Sequence, residues 1–219
     1  MNGNEKKVPE VVIKRLPRYY RYLYELDKEG KTRISSTALS KKMGVTASQI
    51  RQDFNYFGGF GQQGYGYNVQ YLLTELKKLL GINKGYRTII VGAGNLGHAI
   101  ANYGGLKKRG FKLIGIFDND AKKIGQKIGD ITVSDICDID SFIKEKKVDI
   151  AILTLPKEAT ESVAEQLVES GIKGLWNFSF AELSAKDSVF VENVHLTDSL
   201  MTLSFKMNQN TKRKELGGV

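Results

Sequence analysis

Two clusters of residues in this chain have types and spacing suited to chemistry. The first is Gly92-Ala93-Gly94-Asn95-Leu96-Gly97, which follows the apolar run Thr88-Ile89-Ile90-Val91; Asp118 then closes a second apolar run, Leu113-Ile114-Gly115-Ile116-Phe117, 21 residues after Gly97. In a strand-turn-helix unit the first glycine permits a tight turn, the second lets backbone approach a pyrophosphate, and the third lets helix pack closely on strand. The phosphates rest on the helix N-terminus, where unpaired N–H groups and the dipole favour an anion. A carboxylate at Asp118 accepts hydrogen bonds from the adenosine ribose and repels a 2′-phosphate, so the pattern predicts NAD(H) in preference to NADP(H). Asn119 and Lys123 stand close enough to meet the ribose or a phosphate. The second cluster is the segment 47–57, where Ser48, Gln49, Arg51, Gln52 and Asn55 offer side chains that read base edges, Arg and Gln by paired hydrogen bonds. Arg15, Arg18, Lys41 and Lys42 are candidates to neutralise phosphates.

The elements that must position these residues are legible from periodicity and caps. Apolar residues at helical spacing from Pro9 to about Leu26 predict a first helix, with Gly30 as its stop. Ser35-Ser36-Thr37 caps a second helix over 38–43, which ends at Gly44, and Thr46 caps a third over 47–57. Two short helices around a Gly-Val-Thr turn form a helix-turn-helix pattern whose second member is the recognition helix. The segment 58–67 is half glycine with three aromatics, which suits the hairpin wing of a winged helix-turn-helix better than a linker. A helix over 68–80 and a polar connector end this part. Beyond it come strand 88–91, helix 95–108, strand 112–117, a short strand at 131–133, helix 138–146, strand 148–153, helix 157–170, strand 173–177 and a final strand near 188–191. Such alternation predicts a doubly wound parallel sheet with crossover helices, the Rossmann arrangement. An amphipathic helix at 195–207 and a polar, frayed end at 208–219 complete the chain. The predicted domains are thus 1–85, a winged helix-turn-helix; 86–194, a dinucleotide-binding α/β domain; and 195–219, a C-terminal helix and tail.

Charge supports the division. Of the 219 residues, 33 are Lys or Arg and 24 Asp or Glu, a net charge of +9. Residues 1–85 hold 15 cations against 7 anions, residues 86–219 hold 18 against 17, so the excess lies in the first part and predicts a polyanion partner. A solvated basic surface is the plainer alternative. Cys137 is the sole cysteine, which excludes an intrachain disulfide and a thiolate metal cluster. With no apolar run of membrane-spanning length and no apolar signal core after Met1, the expected location is the cytoplasm.

Ligands of doubly wound folds lie across the carboxyl ends of the strands, which nominates Thr154-Leu155-Pro156 and Asn177-Phe178 for the nicotinamide half. Pro156 also suits a helix start, Asp118 a cap or turn, and Trp176 the core. His98 and His195 are accompanied by no Arg or Asp constellation for a carbonyl substrate, and too little chain follows residue 177 for a substrate lobe. The pattern predicts a sensor, not an enzyme. The rivals are a small NAD-dependent oxidoreductase with a helical dimerisation domain and an adaptor with an empty glycine loop.

Over nearly its whole length the chain resembles the bacterial Rex redox-sensing transcriptional repressors. The resemblance lies in Arg15-Leu16-Pro17-Arg18-Tyr19-Tyr20-Arg21, in Ile50 to Gly58 with the wing Phe60 to Tyr67, in Gly92 to Gly97 with Asn102-Tyr103, in Thr154-Leu155-Pro156, in Gly171 to Gly174 with Asn177-Phe178, and in Val191-Glu192-Asn193-Val194. It implies a homodimer that binds an inverted-repeat operator, reads NADH against NAD+, and leaves DNA when NADH binds. It also implies that the last helix is domain-swapped onto the partner, that Tyr103 lies near the nicotinamide, and that Arg21 faces the swapped segment. Thr46, Tyr56, Gly59, Gln62, Gln63 and Gly64 complete the expected DNA face. In many members an acid and an aromatic open the swapped helix; here these positions hold His195 and Leu196, with Asp198 one turn later as a substitute acid. Gln63 stands where a basic residue is frequent.

Overall fold

In the computed structural model, which describes residues 8–58, 60–62, 65–184 and 189–215, the first element grows from an apolar stripe. Val12, Leu16, Tyr19, Tyr20 and Leu23 recur at helical spacing and form the buried face of α1 (Glu10–Lys28). Pro17 sits inside this helix; it removes one ladder hydrogen bond on the exposed side, and the buried stripe holds the helix together around it. Two chain segments are compact in themselves, Met1–Lys84 and Gly85–Val219.

In the first unit α1 is followed by β1 (Arg33–Ile34), α2 (Ser36–Met43), α3 (Ala47–Asn55), β2 (Gly61–Gln62), β3 (Gly66–Asn68) and α4 (Val69–Leu79). The caps are those the sequence specifies: Ser35 accepts from the Ala38 N–H, Thr46 from Gln49, and Asn68 from Tyr71. Gly44 ends α2 in the left-handed conformation, which a β-carbon would disfavour. β1, β3 and β2 form an antiparallel sheet in that order, so the wing is a hairpin with an added strand. At two residues, β1 is too short to leave a periodic signal. Phe54 on α3 lies 4.9 Å from the Tyr19 ring, 5.1 Å from Tyr67 and 5.7 Å from Phe60, which ties the third helix to the first and to the wing.

The second unit is a seven-stranded sheet in the order β10-β9-β8-β4-β5-β7-β6. Its strands are β4 (Tyr86–Val91), β5 (Phe111–Asp118), β6 (Lys127–Ile128), β7 (Ile131–Asp135), β8 (Ile150–Leu153), β9 (Gly174–Asn177) and β10 (Phe190–Asn193). All neighbours pair in parallel except β6 with β7. This is the doubly wound order, reversing between β4 and β8, with an antiparallel hairpin added at one edge. Side chains alternate across the sheet: Ile89, Val91, Ala151 and Leu153 pack with α7 (Ile139–Lys146) and α8 (Lys157–Glu169), while Ile90 and Ile152 pack with Ile100 of α5 (Asn95–Ala101) and Leu106 of α6 (Gly105–Lys108).

Several elements depart from the sequence-based expectation. The helix predicted over 95–108 is two helices, because Asn102 and the pair Gly104-Gly105 are poor helix formers and end α5 at Ala101. The strand β6 was not expected; Gly129-Asp130 between Ile128 and Ile131 is a two-residue hairpin turn, with Gly129 at φ 59°. The final strand is 190–193 in place of 188–191. The last helix, α9 (Leu196–Glu215), runs through part of the stretch 208–219 expected to fray. Leu196, Leu200, Met201, Leu203, Phe205 and Met207 along it are all more than half exposed within one chain.

Candidate functional site

The end of β4 and the end of β8 build the phosphate cradle together. Gly92 turns at φ 105°, and a β-carbon there would lie 2.5 Å from the Thr154 carbonyl oxygen. One at Gly97 would overlap the Gly92 carbonyl oxygen and lie 3.1 Å from Thr154 Oγ1. Gly94 is different, because a β-carbon there would meet nothing within 4 Å: its bareness leaves space on the ligand side. The Thr154 hydroxyl donates to the Gly92 carbonyl at 2.7 Å and so braces the loop from across the switch point. Gly94 caps α5 and brings no side-chain acceptor, leaving the first-turn amides to an incoming anion.

Asp118, 6% exposed at the end of β5, is part of this cradle's frame. Its Oδ2 accepts the Ala93 N–H at 2.6 Å and Lys123 Nζ at 3.1 Å, and its Oδ1 accepts the Asp120 N–H at 2.9 Å. Burial alone would raise the Asp118 pKa; the Asp120 and Ala93 amides and the Lys123 ammonium outweigh it and hold the carboxyl below its ordinary range. A carboxylate offers about four lone-pair sites, so one on Oδ1 is left over by these three donors. The sequence reading assigned the ribose contact and missed the bracing role. Lys123 is committed to Asp118, while Asn119 is exposed beside it.

At the other predicted cofactor positions the structure separates surface from frame. Asn95 and Pro156 are exposed; Leu96, Leu155 and Phe178 are half-buried, and Phe178 packs edge-on to Trp176 at 4.6 Å. Ala93 is buried. Pro156 is the residue before α8, not its first turn. Asn177 is fully buried: its amide donates to the Ala181 carbonyl and to Asn193 Oδ1, and its oxygen accepts the Ser179 N–H. These partners make Asn177 a residue that shapes the loop after β9, which its position at a strand end did not reveal. Tyr103 is 57% exposed just after α5.

In the first unit the predicted DNA-contacting residues likewise divide. Ser48, Arg51 and Gln52 project from the exposed face of α3, and Lys41 is exposed on α2. Arg51 donates to Ser36 Oγ at 3.0 Å, a contact that lines its guanidinium up between the two helices. The Thr46 hydroxyl caps α3, and Tyr56 ends it half-buried. Arg18 is exposed but donates to the Met43 carbonyl at 2.9 Å. Arg15 grips Asp53 with two 2.7 Å hydrogen bonds, and Tyr19 and Gln49 donate to the same carboxylate at 2.7 and 2.9 Å. Asp53 is fully buried; desolvation would raise its pKa, but the donors from Arg15, Tyr19 and Gln49 hold it below the ordinary value. Burial, with the Asp53 carboxylate, pushes the Tyr19 phenol upward. The sequence signal for this network was an aspartate on the apolar stripe of α3 between Ile50 and Phe54. Gly59, Gln63 and Gly64 lie outside the described residues, as does the side chain of Gln62, whose backbone belongs to β2.

The start of α9 holds the remaining predicted residues. His195 Nε2 lies 2.8 Å from Glu182 Oε1, and its ring stacks with Phe180 at 6.5 Å. Asp198 is exposed one turn later, and Arg21 is exposed on α1 in the other unit. Among the described residues no group of three His, Cys, Asp or Glu could hold a metal, and no helix is long and apolar enough to cross a membrane.

Comparison with known proteins accounts for both units at once. Residues 7–55 match a family described as a putative DNA-binding protein N-terminus, and residues 83–181 match a CoA binding domain. The redox-sensing transcriptional repressor Rex of Thermoanaerobacter pseudethanolicus is 56% identical over 216 residues, 99% of this chain and 96% of that protein. The chain belongs to the Rex family. The Rex of Clostridium tetani is 50% identical over 205 residues, 94% of this chain and 97% of its own. Among solved structures, the Rex-family repressor RSP in complex with β-NAD+ and operator DNA is 55% identical with a TM-score of 0.88, over 96% of this chain and 97% of that one. RSP in complex with β-NADH is 52% identical with a TM-score of 0.89, over 96% and 99%.

Proposed function

We propose that this Rex-family chain is a transcriptional repressor that binds operator DNA and leaves it when NADH occupies its second unit. The observation that carries this reading is the near full-length likeness to RSP, a repressor solved with β-NAD+ and operator DNA and, separately, with β-NADH. The protein acts as a regulator and not as an enzyme, and its place is the cytoplasm, with the DNA it reads.

In this reading residues 1–85 bind DNA, residues 86–194 bind NADH or NAD+, and 195–219 form the swapped helix of a homodimer. The apolar side chains of α9, exposed in a single chain, are what a second copy would cover. Gly94 leaves room for the pyrophosphate, Gly92 and Gly97 let the loop close tightly beside it, and Asp118 supplies its remaining acceptor to the adenosine ribose. Thr154, Leu155, Pro156 and Phe178 border the nicotinamide half together with Tyr103, and Asn177 holds their loop in place. Coenzyme A and NAD share an adenosine diphosphate half, which suits the matched family's description; Asp118 disfavours a phosphate on the ribose. Arg51, Gln52 and Ser48 read the major groove, with Lys41 and Arg18 on phosphates. Half-sites in an inverted repeat follow from two-fold symmetry.

Release needs NADH to prefer the DNA-incompetent arrangement, since equal affinity for both would shift nothing. NADH and NAD+ differ by one charge on the nicotinamide, and an apolar surround favours the neutral ring. In place of the family's acid, His195 is hydrogen-bonded to Glu182 within its own chain, so the polar contacts at the start of the swapped helix differ from the family pattern. The test is fluorescence titration of NADH alongside a gel shift. Asp118→Ala is expected to weaken NADH while the operator is still bound but unresponsive; normal release of that variant by NADH would refute the reading.

A further inference from the structure

α6 opens on two adjacent glycines, Gly104 as its cap and Gly105 as its first residue, and they have opposite surroundings. A β-carbon at Gly104 would meet nothing within 4 Å. One at Gly105 would overlap the Tyr103 ring and lie 2.6 Å from its hydroxyl oxygen. Gly105 is helical, a conformation alanine adopts readily, so its backbone does not require glycine, but a β-carbon there would displace the exposed Tyr103 ring. Tyr103, more than half exposed, therefore rests on the bare backbone of α6. One turn on, Arg109 Nη1 donates to the Gly105 carbonyl at 3.2 Å and stands 3.5 Å from the Tyr103 hydroxyl. Glycine, ring and guanidinium form one small assembly that the sequence motifs do not mark.

We propose that Gly105 and Arg109 are positioning residues that set the preference for NADH over NAD+ through Tyr103. This rests on the reading above that Tyr103 borders the nicotinamide. Gly105 seats the ring before ligand arrives, which removes the cost of ordering it on binding. The face of a tyrosine attracts a cation and would by itself favour the charged nicotinamide of NAD+. Arg109, held at the hydroxyl end of that ring, opposes a second positive charge there and leaves the neutral ring of NADH unaffected. Seat and charge act in opposite directions on NAD+, and together they set how strongly it is disfavoured against NADH.

The experiment measures NADH and NAD+ dissociation constants on the full-length protein for Gly105→Ala, Gly104→Ala, Arg109→Met and Tyr103→Ala, with circular dichroism to verify folding. Gly105→Ala is expected to widen the NADH preference about three- to fivefold by weakening NAD+, the scale of an exposed cation–π contact, with Gly104→Ala unchanged. Arg109→Met is expected to narrow it by tightening NAD+, and this difference shrinks at high salt. In the Tyr103→Ala background neither change moves the ratio further, which a general packing role would not produce. The inference is overturned if Gly105→Ala behaves like Gly104→Ala, or if its effect persists without Tyr103. If Tyr103→Ala itself leaves the ratio unaltered, the placement of Tyr103 beside the nicotinamide fails first, and the inference with it.

Discussion

Among the described residues each unit holds one buried aspartate whose carboxylate is gripped by the protein, and the two are built to different ends. Asp53 takes four donors, two from Arg15 and one each from Tyr19 and Gln49, so its lone pairs are filled. Asp118 takes three, and two of these are backbone amides of the turns it joins. A saturated carboxylate is a strut; one with an acceptor to spare can brace a loop and still meet a ligand. Asp53 fixes α3 on α1 and so sets how the exposed face of α3 is presented. Asp118 fixes the glycine loop on the end of β5 and keeps one acceptor open, the one we propose for the ribose.

The sharpest way to break this contrast is Asp53→Ala, which leaves the Arg15 guanidinium without its partner. We expect a loss of about 3 kcal/mol in the stability of the first unit, the lower end of the cost of breaking a buried pair, with operator binding lost alongside. Urea unfolding and a gel shift measure both. Asp118→Ala is expected to weaken NADH by about tenfold, roughly 1.4 kcal/mol, with little change in operator affinity at zero NADH. Equal loss of DNA binding in the two variants would erase the distinction between strut and ligand site.

How far the sequence alone reached follows the same line. The caps at Ser35 and Thr46, the glycine loop and the strand alternation were legible because local chemistry determines them. The role of Asp53 was not, because an aspartate on the apolar stripe of α3 signals only that some partner is needed, and Arg15 lies 38 residues away. Asn177 was read as a ligand contact from its place at a strand end, whereas its amide group is bound within the turn that follows, to Ser179 and Ala181, and to Asn193 of β10. The break between α5 and α6 was readable in Gly104-Gly105, but the apolar periodicity across it was stronger.

A smaller effect separates recognition from support within α3. Arg51→Ala is expected to cost about 1–3 kcal/mol of operator affinity and to leave NADH affinity unchanged, since Arg51 lies on the exposed face and Asp53 on the buried one. Calorimetric titration with an operator duplex checks it.

The smallest difference concerns acid. Both carboxyls titrate in the folded protein below the ordinary aspartate value of 3.8, so each stabilises the fold above about pH 4. That contribution is lost as the pH falls through the lowered folded values. The gap in stability between the wild-type protein and Asp53→Asn is therefore expected to be full at pH 7 and to narrow below pH 4 in urea unfolding. A gap that widens on acidification would mean that Asp53 is protonated in the folded protein.

The most direct test of the central claim keeps NAD+ constant and titrates NADH against a fluorescent operator duplex. Release of the duplex as NADH rises, with no release by added NAD+, is the expected result. Retention of the duplex at saturating NADH would contradict it.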